Sequence, residues 1–245
     1  MIEIDGLSKK YGTLQAVDGL SLRVERGEIL GLVGPNGAGK TTTLRCISGI
    51  IPPTSGAVRI SGFDLKDSPV EAKRRLAFVP DEPRLFDYLT ARDHLRITSR
   101  LYGVADGTER AETLLDELEL GDRKDAYPAE LSRGMKQKLM VAMALIHRPE
   151  ALLLDEPLTG LDPVAMRRMK DRIRSTAASG VAVVLSSHML HLVEELCRRV
   201  AIVVAGKKAL DGTLDEIRGA LPAGARGDLE SIFLQTVGEG EDKHA

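Results

Sequence analysis

The segment Gly34-Pro35-Asn36-Gly37-Ala38-Gly39-Lys40-Thr41 constrains this chain more than any other stretch, because a short apolar run, Ile29 to Val33, leads straight into it. A strand that runs into G-x-x-x-x-G-K-[ST] predicts a phosphate cradle followed by a helix. Glycines let the backbone curl until its N–H groups point inward at phosphate oxygens. The helix that opens near Gly39 aims its positive end at the same anion. In such a loop Lys40 reaches the β and γ phosphates and the Thr41 hydroxyl ligates Mg²⁺. A chance glycine-rich turn would explain the glycines, but not strand, spacing, lysine and hydroxyl together. A dinucleotide loop fits poorly, since glycines at 34, 37 and 39 do not make G-x-G-x-x-G.

Bulk properties remove several classes. With 245 residues the chain can build one large or two modest domains. Its 34 basic residues are outnumbered by 36 acidic ones, so the positive excess expected of a nonspecific nucleic-acid binder is missing. Aromatics are 3% with no Trp, which argues against base-stacking platforms. Cys46 and Cys197 are far apart and form no C-x-x-C, so neither a disulfide framework nor a zinc site is expected and a reducing cytoplasm fits. The apolar runs Leu139 to Ile146 and Val200 to Ala205 are far short of the roughly 18 residues of a membrane span. The acidic start, Met1-Ile2-Glu3-Ile4-Asp5, does not read as a secretory leader. Any work at a membrane is therefore expected to go through a partner.

Two regimes alternate along the chain. Residues 1 to about 80 read as strand-rich, with Ile2-Glu3-Ile4, Leu20 to Glu25, Ile29 to Val33, Ala57 to Ile60 and Leu76 to Val79, interrupted by a helix from Lys40 to about Ile50. From about Asp81 to Gln137 the spacing becomes helical, as in Ala91 to Leu101 and Ala111 to Leu118. Leu152-Leu153-Leu154 and Val181 to Leu185 are apolar on both faces and read as buried parallel strands, with Val164 to Ala178 the crossover helix between them. The expectation is an α/β core with a helical insertion over about 81–137 and a polar, frayed tail from Gly238 to Ala245.

Four further motifs carry chemistry. Leu154-Asp155-Glu156-Pro157 delivers two carboxylates to a strand end, where Asp155 can hold the Mg²⁺ shell and Glu156 can act as general base on water. Leu131 to Gln137 opens a helix running to about His147, with Ser132 as N-cap and Gly134 allowing close approach of a ligand. Asp162-Pro163 suits a helix start, a capping role that leaves room for a functional one. Ser186-Ser187-His188 ends a buried strand, where His188 can bridge the γ-phosphate and the attacking water. His94, His147, His191 and His244 read as ordinary surface or core histidines.

In this order and spacing the motifs resemble the ATPase subunit of ABC transporters, over about residues 2–235. Gly34 to Thr41 matches the family's Walker A, Asp155-Glu156 ends its Walker B, and Ser132 with Gly134 matches its signature. Thr159 to Asp162 matches the D-loop, His188 the switch histidine, and Tyr11 the adenine-stacking ring. The resemblance implies a P-loop NTPase core with a mostly parallel sheet, an N-terminal antiparallel β subdomain and an inserted α-helical subdomain. It implies one domain over 1–235 followed by a flexible tail over 236–245, with ATP and Mg²⁺ as cofactors. Catalysis would fall to Glu156 and His188, and the metal to Thr41, Asp81 and Asp155. ATP would be held by Tyr11, the loop Gly34, Pro35, Asn36, Gly37, Ala38, Gly39, Lys40, Thr41 and Thr42, and by Ser132, Gly134 and Asp162. Three positions depart from the pattern. Arg133 stands where a second glycine is usual and adds a cation near the phosphates, Leu158 where a small polar residue is more usual, and Asp81 where a glutamine is usual; a carboxylate there still suits a hard cation.

The resemblance further implies that Ser132 and Gly134 contact ATP held by a second ATPase subunit, identical or not, in a head-to-tail dimer. The partners implied are that subunit and an integral membrane permease, at the cytoplasmic face of the cell membrane, with no nucleic acid. Pro83 to Leu95 is the expected coupling surface, and the exporter branch is the better match. Two other classes compete: a soluble ATP-driven clamp on DNA or the ribosome, and a regulatory nucleotide module with weak hydrolysis. The first is disfavoured by the single cassette, the lack of heptads and the charge balance, while Asp81 keeps the second open.

Overall fold

The computed structural model describes residues 1–219 and 229–241. Strands β1 (Ile2–Tyr11) and β2 (Leu14–Val24) form an antiparallel pair, and β3 (Ile29–Val33) then carries the chain into the glycine loop and α1 (Lys40–Ile47). Strands β4 (Ser55–Ile60) and β5 (Phe63–Asp64) complete a four-stranded antiparallel sheet in the order β2-β1-β4-β5. After α2 (Pro69–Arg74) and β6 (Leu76–Val79) come three helices, α3 (Ala91–Leu101), α4 (Gly107–Glu117) and α5 (Arg133–Leu145). The α/β alternation resumes with β7 (Ala151–Asp155), α6 (Pro163–Ala178), β8 (Ala182–Ser186), α7 (Leu190–Leu196) and β9 (Arg199–Val204). The described chain closes with β10 (Lys207–Thr213), α8 (Leu214–Gly219) and α9 (Leu229–Glu241).

The second sheet runs β10-β9-β3-β8-β7-β6, parallel except for the β10-β9 edge pair. It is apolar on both faces because each face has its own core. One core packs the antiparallel sheet and α1 against it, with Leu7, Leu20, Leu30, Leu32, Leu44 and Ile47 fully buried. The other packs α3 to α7 and the start of α9, centred on Leu95, Leu115, Leu139, Leu154 and Leu185. The fit is close on this side. A Cβ at Gly31 on β3 would lie 2.5 Å from Val193 Cγ1 on α7.

The inserted helices are tied to the core by charge as well as packing. Arg172 and Arg168 on α6 pair with Glu117 and Glu119, and Arg110 Nε donates to the Ile146 carbonyl at 2.8 Å. Thr90 caps α3 by accepting from Asp93 N–H at 3.2 Å. His94, 1% exposed, accepts from Phe86 N–H through Nε2 and donates from Nδ1 to the Thr90 carbonyl, so it is a core histidine that fixes the approach to α3.

Several boundaries differ from the sequence reading. β1 continues through Tyr11 instead of stopping at Ile4, because Gly6, at φ +56°, sits in a register irregularity that lets the ladder resume. α1 stops at Ile47, where Ser48 is the C-cap and Gly49 takes φ +67°. The stretch Pro83 to Thr90 is not helical. The expected frayed tail starts inside α9, which runs to Glu241; residues 242–245, with His244, lie outside the described residues.

Candidate active site

The loop between β3 and α1 is shaped by what crowds it and by what leaves it open. A Cβ at Gly34 would lie 2.3 Å from the Val203 carbonyl, and one at Gly39 2.2 Å from the Ala16 carbonyl. Neighbouring strands thus press those two positions to glycine. Gly37 and Gly39 have φ of +81° and +100°, which L side chains rarely adopt. At Gly37 an added Cβ would meet nothing within 4 Å, so the loop's open side is there. The first turn of α1 has Gly39 at its N-cap, no side-chain cap and no acidic residue, leaving its N–H donors for an anion.

Lys40 is 8% exposed, and its Nζ donates to the Gly34 carbonyl at 2.6 Å and the Pro35 carbonyl at 3.1 Å. The ammonium therefore lies inside the loop's curl. Burial lowers its pKa, and the nearby carboxylates of Glu156 and Asp155 work against that fall.

Across the cleft, β7 ends in the carboxylate pair. Asp155, 2% exposed, accepts from Ser186 Oγ at 2.5 Å, and the β7-β8 register sets Asp155 directly beside Ser186. Glu156 leaves the strand at φ +49°, a left-handed conformation that costs a non-glycine residue about 1 kcal/mol or more. The turn is held by its N–H, which donates to the Ser186 carbonyl at 3.1 Å. Its Oε2 accepts from Ser187 Oγ at 3.3 Å and lies 2.9 Å from His188 Nδ1. The Glu156 carboxylate is thereby oriented by two neighbours. The sequence reading assigned a role to His188 but none to Ser186 or Ser187, whose part depends on a ladder pairing residues 31 apart.

These groups line one cleft of about 670 Å³. On its walls are Asn36 to Thr42 from the loop, Asp155, Glu156, Thr159 and His188 from the strand ends, Asp81, and Tyr11 at the rim. Tyr11 is 48% exposed, with Lys9 Nζ 5.1 Å from its ring centroid. Leu14, Gln15, Ala16 and Ala205 also line it, and none of these was expected from sequence; Arg133, expected to bring a cation near the phosphates, lines it as well. Gly34 and Pro35 contribute carbonyls to Lys40 and do not line the cleft. Asp162, Ser132 and Gly134 do not line it either. Asp162 accepts from Val164 N–H and Ala165 N–H at 2.9 Å and caps α6. Ser132 caps α5 by accepting from Met135 N–H at 3.2 Å. A Cβ at Gly134 would lie 3.3 Å from Leu161 Cδ2, so the start of α5 abuts the turn after Glu156.

The donor set fits a magnesium nucleotide. Among the described residues no three His, Cys, Asp or Glu side chains converge as a ready-made metal cage. Thr41, Asp155 and Asp81 offer one hydroxyl and two carboxylates, and Mg²⁺ takes few protein ligands when phosphate oxygens supply the rest. Thr159 Oγ1 is buried without a hydrogen-bond partner on this wall. Among the described residues no helix is long and apolar enough to cross a membrane.

Known proteins point the same way. The sequence profile of the ABC transporter family matches residues 17–159. The Nod factor export ATP-binding protein I of Paraburkholderia xenovorans (strain LB400) is 37% identical, over 98% of this chain and 84% of that protein. The daunorubicin resistance ATP-binding protein DrrA3 of Streptomyces coeruleorubidus is 36% identical, over 97% of this chain and 75% of that protein. A solved structure described as the ATP binding subunit of an ABC transporter superposes with a TM-score of 0.90 at 36% identity, covering 96% of this chain and 99% of its own. Family profile, relatives and solved structure agree, and the chain belongs to the ABC transporter family as an ATP-binding subunit.

Proposed function

We propose that this chain hydrolyses Mg·ATP as one half of a dimer and drives export of a substrate through a separate membrane-spanning subunit, at the cytoplasmic face of the cell membrane. The observation that carries the hydrolytic reading is the placement of Glu156 in the same cleft as Lys40, with Ser187 and His188 on its carboxylate. Glu156 takes a proton from water, and His188 shares that proton or hands it on. Lys40 and the α1 N–H groups meet the phosphate charge. Thr41, Asp155 and Asp81 would hold Mg²⁺, which would supply positive charge against the phosphates.

The dimer reading rests on Ser132 and Gly134, which stand at the start of α5 and do not line the cleft of their own chain; Ser132 is exposed and can face nucleotide on another copy. The export reading rests on the relatives named for Nod factor export and daunorubicin resistance. The partner surface rests on exposed apolar groups around the insertion. A groove of about 410 Å³ runs between insertion and core, lined by Ile50, Phe78, Tyr102, Met140, Met143 and His147. Phe86, Tyr88 and Leu101 are 68%, 92% and 80% exposed. That extends the coupling surface expected at Pro83 to Leu95 towards α1, α5 and the end of α3.

The test is Glu156→Gln. Turnover should fall by about 10²- to 10⁴-fold while ATP still binds, and the ATP-loaded variant should run as a dimer by light scattering. Wild-type turnover in the variant would remove the general-base assignment, and a monomer with ATP bound would remove the dimer. Purification from membranes without any integral membrane protein would remove the transport reading.

A further inference from the structure

Two of the three residues that depart from the family pattern face each other. Asp81 follows β6, and Arg133 is the first residue of α5, 52 positions later in the chain. The Arg133 guanidinium lies 3.8 Å from Asp81 Oδ1 at the mouth of the nucleotide cleft. Its stem is held from the other side, because a Cβ at Gly160 would lie 3.1 Å from Arg133 Cδ. The arginine is thus aimed at Asp81 by the turn that follows Glu156. The cleft's lining carries three carboxylates, Asp81, Asp155 and Glu156, against the cations Lys40 and Arg133. Lys40 is buried in the loop, and Asp155 and Glu156 are bonded to Ser186 and Ser187. Asp81 is the carboxylate left for Arg133.

We propose that Arg133 is a positioning residue that competes with Mg²⁺ for Asp81. In the metal-free cleft the guanidinium neutralises Asp81 and ties the first turn of α5 to the segment after β6. A doubly charged, hard cation has the stronger claim on the carboxylate oxygen, so metal entry breaks the pair and frees both the arginine and the α5 terminus. The inference rests on the reading that Asp81 serves the metal.

The test is a magnesium titration of the full chain loaded with a fluorescent, nonhydrolysable ATP analogue, reading the Mg²⁺ concentration at half-retention. Both side chains are half exposed, so the variants should melt like wild type. Arg133→Gln should lower the midpoint by about two- to fivefold, the span of an exposed ion pair. Arg133→Lys should stay near wild type. In an Asp81→Asn background Arg133→Gln should have no effect, and 1 M salt should erase the difference in the parent. Asp81→Asn alone should raise the midpoint. No shift in Arg133→Gln, or an equal shift in both backgrounds, overturns the competition while leaving Asp81 at the metal. No shift in Asp81→Asn removes Asp81 from the metal and the competition with it.

Discussion

His147 should make the protein acid-sensitive from about pH 6.5 downward, starting above the range in which most carboxylates titrate. The ring lies just beyond α5, stacked on Tyr102 with centroids 3.8 Å apart and planes 18° from parallel. Nε2 is 3.3 Å from the Leu76 carbonyl, and Nδ1 is buried without a partner. A second proton would enter an apolar wall with no acceptor. Burial accordingly pulls the pKa from 6.5 to about 4, with the Leu76 carbonyl opposing and Arg110 assisting. The folded state thus binds fewer protons than the unfolded chain between these values, and stability must fall as pH drops through 6.5 towards 4. By linkage the loss is about 2 kcal/mol between pH 7 and pH 5, and on the order of 3 kcal/mol at pH 4. His147→Phe keeps a ring against Tyr102 and removes the proton site. Urea unfolding of both proteins at pH 7.5 and pH 5 isolates the effect, because every other group cancels in the difference. The wild type should lose about 2 kcal/mol more than the variant on acidification. A difference that changes by less than about 0.5 kcal/mol would show that the imidazole takes its proton freely in the fold.

Three further outcomes follow from the cleft. Ser186→Ala leaves the 2% exposed Asp155 without its hydroxyl donor and should cost about 1–3 kcal/mol, read as a lower melting temperature in nucleotide-free protein. Gly34→Ala puts a methyl where the Val203 carbonyl already lies at 2.3 Å, so the loop must shift and equilibrium dialysis should find ATP binding lost in a folded protein. Tyr11→Ala should weaken ATP binding by about 1–3 kcal/mol, the worth of one base stacked on a ring, whereas Tyr11→Phe should bind like wild type in calorimetry.

Much of this site was legible because its signals are local. The glycine loop, the apolar run into Asp155-Glu156, and the caps Ser132 and Asp162 each lie within a few residues, where spacing fixes geometry. What was not legible is set by register and by contacts between distant segments. Ser186 reaches Asp155 only because Leu154 pairs with Leu185 in the sheet. Arg133 and Asp81 stand in the sequence as two separate departures from the family pattern. Their meeting depends on how α5 is laid across the end of β6, which no periodicity encodes. The antiparallel strands were undercalled for a related reason. Gly6 reads as a break in a one-dimensional pattern, whereas the β1-β2 ladder absorbs it as an irregularity and continues.

Glu156 is joined to the start of α5 by a short path. Its backbone is left-handed and its carbonyl accepts from Thr159 N–H at 3.2 Å, and Leu158 accepts from Leu161 N–H at 3.4 Å. One residue later Asp162 caps α6. The connection from Glu156 to the Asp162 cap is therefore a run of closed turns with little slack. Gly160 supports the stem of Arg133, and Leu161 is the atom set nearest to Gly134. The start of α5 therefore packs directly on the turn that follows Glu156, and that start carries Ser132, Arg133 and Gly134.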